Sequence, residues 1–148
     1  MPAEPMPRCE FQSNDLVLRI DVTLAADPNA IGLVVERVME IARGMQCAEG
    51  KEFEVELAIQ EALANAVKHG CKGDPSKMVQ FCVACDQNRG MLMIVRDPGE
   101  GFDPRSIPDC IVGENVYSEH GRGIFLINRL MDQVSFERGG TEIRMKKA

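Results

Sequence analysis

The feature that most constrains the fold is the segment 78–97, in which two apolar runs, MVQFCVACDQ and GMLMIVRD, meet at the short turn NRG. Both runs resemble strands, and a short connection that contains glycine is typical of a β-hairpin. The end of the chain predicts a second hairpin, because QVSFERGGTEIRMKK surrounds the turn RGG. Strands joined by tight turns are antiparallel, so the sheet is predicted to be mostly antiparallel.

The other predicted elements are one strand and three helices. The alternating run LVLRIDVTL (16–24) predicts a strand, and Asp27 followed by Pro28 predicts the start of the first helix. Residues 51–70 predict a second helix, and GIFLINRLMD predicts a third that follows a glycine-rich turn. The order β-α-α-β-β-loop-α-β-β favours an α+β two-layer sandwich, with a mixed, mostly antiparallel sheet and the helices on one face.

Length and charge limit the kind of protein. A chain of 148 residues favours one domain, predicted at 14–148 after a loose, proline-rich tail at 1–13. The net charge of −6 is the wrong sign for a non-specific nucleic-acid binder. No apolar run approaches the ~18 residues of a membrane span, and the tail lacks the apolar core of a signal peptide. The sequence therefore predicts a cytoplasmic protein that binds neither membranes nor nucleic acid directly.

The cysteines predict reduced, mostly buried thiols. Disulfides are expected mainly in secreted proteins, and no second CxxC or Cys/His pair completes a zinc site. Cys82 and Cys85 have CxxC spacing, but on a strand this odd separation places them on opposite faces. The six cysteines are Cys9, Cys47, Cys71, Cys82, Cys85 and Cys110.

The second predicted helix carries a row of polar residues beside its apolar side. Glu61, Asn65 and His69 are spaced at i, i+4 and i+8, so they project from nearly the same side. Small alanines flank Glu61 and leave room for a ligand to lie close. One alternative is an ordinary solvated polar face, and this row alone does not decide between the two.

Two glycine-containing segments add to this row. In RDPGEG (96–101), Asp97 stands where a strand ends, and the nearby glycines allow backbone to approach a flat ring. In HGRGIFLI (120–127), glycines before a helix leave backbone N–H groups that can face an anion. The alternatives are an ordinary Asp-Pro-Gly turn and simple loop flexibility. The segment 98–123 between them has no clear period, and a loop of that length is usually functional or disordered.

The order of these segments resembles the GHKL ATPases, a superfamily with the Bergerat nucleotide-binding fold that includes gyrase and the histidine kinases. The resemblance covers roughly residues 14–147. Within the superfamily, DPGEGFDP and GRGIFLINRLMDQV are similar to the bacterial anti-sigma factor serine/threonine-protein kinases. The motifs that carry the resemblance are Glu61-x-x-x-Asn65-x-x-x-His69, Asp97-x-Gly99-x-Gly101, Gly121-x-Gly123 and Gly140-Thr141.

The resemblance implies that ATP and Mg²⁺ bind along the polar row. Asn65 would bind Mg²⁺ through its amide oxygen, and this ion would bridge the phosphates. Glu61 would be the catalytic general base that takes the proton from an attacking hydroxyl. His69 belongs to the same motif and is carried over as a nucleotide-binding residue.

At the other end of the nucleotide, the resemblance assigns the adenine contacts. Asp97 would accept a hydrogen bond from the adenine amino group, and Gly99 and Gly101 would shape the base pocket. Thr141, on the final hairpin, would support the same contact directly or through water.

The resemblance also implies a lid over the phosphates. Residues 102–120 would form an ATP lid that closes through Gly121, Arg122 and Gly123. The chain departs from some relatives here, because Glu119 and His120 stand where those relatives carry an arginine that reaches the γ-phosphate. The nearby cation is instead Arg122, so ATP binding is expected more firmly than rapid phosphoryl transfer.

Three functions follow from this resemblance. The first is a homodimeric kinase that holds a sigma factor inactive and phosphorylates a serine or threonine of a STAS-type antagonist. The second is an ATP-binding module of the same fold with little or no kinase activity, favoured by the Glu119-His120 departure. The third, a detached catalytic domain of a histidine kinase, is disfavoured because the only histidines, His69 and His120, lie inside the nucleotide motifs. The sequence does not identify the sigma factor or the antagonist. It also leaves open whether the target is a sigma factor at all.

Overall fold

The computed structural model describes residues 16–86, 88–101 and 119–148 of the chain. The strands in this part are β1 (Leu16–Ala25), β2 (Met78–Asp86), β3 (Gly90–Arg96), β4 (Gln133–Glu137) and β5 (Glu142–Lys147). The α-helices are α1 (Pro28–Gly44), α2 (Glu52–Asn65) and α3 (Glu119–Leu130).

The strands form one five-stranded sheet in the order β1-β2-β3-β5-β4. All four described pairings are antiparallel, and both predicted hairpins, β2–β3 and β4–β5, are present. The helices pack on one face of the sheet, where they bury the main hydrophobic core. The predicted α+β two-layer fold is therefore confirmed.

The first helix begins where its sequence indicates. The Asp27 carboxylate accepts a hydrogen bond from the backbone N–H of Asn29 at 2.9 Å, and Pro28 occupies the first helical position. This cap satisfies one of the N–H groups that a helix start leaves without an intrahelical partner. Val35, Val38 and Met39 then face the core and are almost completely buried.

The second helix differs from its prediction at the C-terminal end. The α-helix ends at Asn65, and Ala66–Gly70 form a π-helical turn instead of continuing it. The turn is closed by the Cys71 N–H, which donates to the carbonyl oxygen of Ala66 at 2.9 Å. Single π-turns are frequent at functional sites, and this one carries His69 and Gly70 toward the end of β3.

The third helix begins earlier than predicted. It starts at Glu119, so Gly121 and Gly123 lie inside its first turns and do not form a loop before it. A glycine inside a helix costs about 1 kcal/mol relative to alanine, which calls for a compensating reason. At Gly123 the reason is close packing, because an added Cβ would lie 3.0 Å from Oε2 of Glu61 on α2.

The cysteine prediction is wrong for two residues. Cys47, in the turn after α1, forms a disulfide with Cys85 on β2, with their Cα atoms 6.2 Å apart. The prediction relied on a general rule about cellular compartments, whereas the fold brings these two residues together inside the core. Cys71 and Cys82 are buried and lie outside this disulfide, as expected. Cys82 and Cys85 lie on opposite faces of β2, as their spacing predicts.

Some predictions lie outside the described residues. They include the tail at 1–13 and residues 102–118 of the predicted lid, whereas Glu119 and His120 open α3. The domain bounds of 14–148 stay a prediction. Across the described ranges, no helix combines the length and the apolar character needed to cross a membrane.

Candidate functional site

A cavity of about 240 Å³ opens between the C-terminal end of α2 and the adjoining ends of β3 and β5. Apolar side chains, including those of Val95 and Ile143, line part of it. The two strands and the helix also bring polar side chains to its walls, which suits a ligand with a flat apolar ring and a few polar groups. The polar or glycine residues at its walls include Asn65, His69, Asp97, Gly101, Gly140 and Thr141.

Asp97 is the half-buried carboxylate of this cavity. Its backbone N–H donates to the carbonyl oxygen of Thr141 at 2.9 Å, which extends the β3–β5 pairing by one residue. Its Oδ1 accepts from the Gly99 N–H at 2.8 Å, and Oδ2 accepts no hydrogen bond from the described residues. Burial raises the pKa of Asp97, which the Gly99 N–H partly offsets. The site therefore holds a partly desolvated acceptor with one oxygen left for a ligand.

Glycines allow the backbone to close tightly around this carboxylate. A Cβ at Gly70 would overlap the Asp97 carboxylate, and a Cβ at Gly99 would overlap the carbonyl oxygen of Gly70. Gly101 has a positive φ of 81°, and a Cβ there would overlap the carbonyl oxygen of Gly139. These contacts explain why the segment after β3 needs glycine at two positions. They also assign a packing role to Gly70, which the sequence shows only as a helix end.

Thr141 lies beside Asp97, directly before β5. Its hydroxyl donates to the carbonyl oxygen of Arg138 at 2.9 Å, so the lone pairs of Oγ1 can accept a hydrogen bond. Its own carbonyl oxygen holds the Asp97 N–H, which fixes the two residues next to each other. The predicted proximity of Asp97 and Thr141 is therefore present.

A second cavity of about 230 Å³ adjoins the first, and Asn65 and His69 line both. It contains the carboxylate of Glu61 together with the cationic side chains of Lys68 and Arg122. An added Cβ at Gly123 would lie 3.0 Å from Nδ2 of Asn65, so α3 passes close over the amide. The arrangement can hold an anion against a helix while keeping one carboxylate and one amide at its side.

The described residues contain no cluster of three or more His, Cys, Asp or Glu side chains able to hold a metal. A protein-only metal cage is therefore absent from this part of the chain. The donor set fits Mg²⁺ in a different way, since this ion usually keeps several waters and takes few protein ligands beside substrate phosphates. The Asn65 amide oxygen, in the crevice beneath Gly123, is suited to be one such ligand.

The fold brings the predicted site residues into two adjoining groups. Gly99 stands directly behind the carboxylate of the first cavity, and Gly121 lies in the first turns of α3. The first cavity is lined by Asn65, His69, Asp97, Gly101 and Thr141, and the second by Glu61, Asn65, His69, Arg122 and Gly123. Their roles toward a nucleotide stay predictions.

The sequence analysis missed several residues at these cavities. Lys72 and Phe136 line the first cavity, and Lys68 lines the second. Lys68 lies in the π-turn Ala66–Gly70, where α-helical spacing no longer applies, so the sequence pattern does not place it beside the cavity. Phe136 comes from the short strand β4 and reaches the cavity only through the order of the sheet.

Comparison with known proteins adds the following similarities. A family model described as histidine kinase-like ATPase domain matches residues 24–147. The serine-protein kinase RsbW of Bacillus licheniformis is 29% identical over 138 residues, which covers 86% of this chain and 84% of that protein. The protein of the same name from Bacillus subtilis (strain 168) is 27% identical over 135 residues, with 86% and 84% covered. The one from Staphylococcus epidermidis is 33% identical over 99 residues, 62% of either chain.

Proposed function

This chain belongs to the histidine kinase-like ATPase family, and on that premise we propose that it binds ATP with Mg²⁺ and phosphorylates a serine or threonine of a partner protein. The family match confirms the predicted superfamily, and the names of the relatives agree with the predicted serine-kinase branch. The observation that carries the proposal is the pair of adjoining cavities. One contains the half-buried acceptor Asp97, the other contains a carboxylate with cations, and Asn65 and His69 line both.

The first cavity is proposed to bind adenine. Oδ2 of Asp97 accepts from the adenine amino group, and the Thr141 hydroxyl supports this contact directly or through a water. The interlocked glycines, Gly99 and Gly101 among them, let backbone lie against the ring. This orientation places the ribose and phosphates toward Asn65 and His69, where the second cavity begins.

The second cavity is proposed to hold the phosphates and the acceptor hydroxyl. Asn65 would hold Mg²⁺ through its amide oxygen, and the ion would supply positive charge that offsets the charge of the phosphates. The serine or threonine oxygen attacks the γ-phosphorus, the bond to the β–γ bridging oxygen breaks, and ADP leaves. Glu61, one helical turn before Asn65, takes the hydroxyl proton.

Positive charge at this end comes from side chains on two elements. Lys68 lies in the π-turn after α2 and Arg122 lies on α3, and both line the cavity. They are proposed to offset the charge of the phosphates in place of the arginine that some relatives carry before the GxG motif. Residues 102–120 are proposed to close over the phosphates as a lid.

The partner proteins are proposed from the resemblance and from the relatives' printed name, serine-protein kinase. A sigma factor is held inactive, and a STAS-type antagonist receives the phosphoryl group. The protein acts as a homodimer in the cytoplasm and contacts neither membranes nor nucleic acid directly. A pull-down from native cell extract, with and without ATP, tests this proposal. It should recover both the sigma factor and the STAS-type antagonist.

The chemical step is tested with Glu61→Gln. As general base, Glu61 contributes roughly 10²–10⁴-fold to the transfer rate and little to ATP affinity. In an assay with radiolabelled ATP and the STAS-type protein recovered by the pull-down, the wild type should transfer label to that protein and the variant almost none. Calorimetry should show equal ATP affinity for the two proteins. Glu54→Gln is the matched control, because it makes the same change on the first turn of α2, away from both cavities.

The second candidate function is an ATP-gated binding module without kinase activity. The Glu119-His120 departure favours it, because an arginine at that place in some relatives reaches the γ-phosphate. If the wild type binds ATP and the antagonist but transfers no label, this second function replaces the first. If Glu61→Gln transfers label as fast as the wild type, the kinase activity stands and Glu61 is not its base.

A further inference from the structure

A buried ion pair joins β3 and β5 on the face of the sheet opposite the helices. Nε of Arg96 donates to Oε1 of Glu142 at 2.8 Å, and Nη2 lies 2.7 Å from the same oxygen. Arg144 approaches the other carboxylate oxygen at 3.4 Å. Glu142 is only 3% exposed and Arg96 only 9%. The pair is therefore nearly desolvated, unlike the half-exposed Arg19–Asp21 pair on β1.

The position of this pair along the strands connects it to the first cavity. Arg96 and Glu142 are register partners at the last rung of the β3–β5 ladder. Asp97 directly follows Arg96, and Thr141 directly precedes Glu142, so the next rung is the hydrogen bond from the Asp97 N–H to the Thr141 carbonyl. Because side chains alternate along a strand, Arg96 and Glu142 point to one face while Asp97 and Thr141 point to the other, toward the cavity.

Beyond this rung the chain loses the support of the sheet. The residues just after Asp97 bend away from the strand, and Arg138–Gly140 before Thr141 form a short 3₁₀ helix in which Gly139 and Gly140 have positive φ angles of 67° and 93°. On β4, the register partner of Glu142 is Glu137, which carries the same charge. Arg96, at 2.7 Å, is a closer cation to the Glu142 carboxylate than Arg144, at 3.4 Å. Replacing Glu142 removes the two short contacts that its carboxylate makes with the buried Arg96 guanidinium, so the end of the ladder would have to rearrange.

We propose that Arg96 and Glu142 are positioning residues for recognition of the nucleotide base. The pair fixes the end of the β3–β5 ladder, and through it the separation of Asp97 and Thr141 across the cavity. That separation sets the preference for a purine that carries a 6-amino group. This role depends on the proposed function, because it requires that the cavity bind adenine.

The test compares two nucleotides that differ only in the amino group. Calorimetry measures the affinity of the full-length protein for ATP and for purine riboside 5′-triphosphate, which lacks it. The wild type should prefer ATP by about tenfold or more, the value of a hydrogen bond to a charged acceptor. Glu142→Gln should lose most of this preference, while its affinity for purine riboside 5′-triphosphate stays within about twofold. Arg96→Lys should shift the ratio in the same direction, because one ammonium does not reproduce the contacts of the guanidinium.

Asp86→Asn controls for a general loss of stability. Asp86 is also nearly buried, on the same sheet, but at the turn of the β2–β3 hairpin far from the cavity. It should keep the wild-type ratio even if the protein melts at a lower temperature. The proposal is overturned if folded Glu142→Gln and Arg96→Lys keep the ratio, or if both nucleotides weaken equally. A wild type that binds neither nucleotide overturns the proposed function and the positioning role together, whereas unchanged ratios in the variants overturn only the latter.

Discussion

Replacing Asp97 by asparagine separates the role of this residue in binding from its effect on stability. The change keeps the shape of the side chain, and the amide oxygen can still accept from the Gly99 N–H as Oδ1 does now at 2.8 Å. The atom in place of Oδ2 becomes a donor. It would therefore face the adenine amino group, which is also a donor, without a hydrogen bond between them.

The expected loss of affinity follows from the kind of hydrogen bond removed. A hydrogen bond to a charged group contributes about 1.5–3 kcal/mol, which corresponds to about 10- to 150-fold weaker ATP binding. Purine riboside 5′-triphosphate has no amino group at that position, so its affinity should change by less than about threefold. The contrast between the two ligands isolates the contact with the base.

Stability should change in the opposite direction. Burial raises the pKa of Asp97 in the folded protein, so ionising this carboxyl group costs more free energy there than in the unfolded chain. Its contribution to the unfolding free energy is most favourable below the unfolded pKa of about 3.9 and is lost as pH rises through the folded pKa. The neutral amide of the Asp97→Asn variant has no such cost. The nucleotide-free variant should therefore be more stable than the wild type at pH 7, and the difference should shrink toward pH 4.

Calorimetry with both nucleotides, and urea denaturation of the nucleotide-free proteins at pH 7 and pH 4, measure these effects. Unchanged ATP affinity in the variant would refute the assignment of Asp97 as the base acceptor. A variant that is less stable than the wild type at pH 7 would refute the argument from burial. It would show that the ionised carboxylate stabilises the fold through contacts such as that with the Gly99 N–H.

Three further predictions concern the phosphate end and the core. Gly123→Ala places a Cβ 3.0 Å from Oε2 of Glu61 and from Nδ2 of Asn65, so phosphoryl transfer in the radiolabel assay should slow by about tenfold or more with little change in melting temperature. Asn65→Ala should abolish the tightening of ATP binding by Mg²⁺ in calorimetry; an unfolded variant by circular dichroism would show a structural role instead. Dithiothreitol should lower the unfolding free energy by about 4 kcal/mol, from the 38-residue separation of Cys47 and Cys85, and should have no such effect on Cys47→Ser.

Local sequence signals were sufficient for most of the secondary structure. The Asp27 cap, the alternating strand at 16–24 and the two hairpins depend on residues close together in the chain, and all are confirmed. The spacing of Glu61, Asn65 and His69 placed them on one side of a helix, and they line a common cavity. Chain order alone does not place Asp97 or Thr141 beside that helix; the resemblance supplied this expectation.

Tertiary structure decided what depends on contacts between distant segments. Cys47 and Cys85 are 38 residues apart and meet only because the turn after α1 packs against β2. In the sequence, Gly123 could be explained by the flexibility of a loop. In the structure, its lack of a side chain is needed because α3 passes close to α2. Arg96 and Glu142 look like ordinary strand charges until the register pairs them. Periodicity reports which face of its own element a residue occupies, whereas burial and pairing depend on the element packed against it.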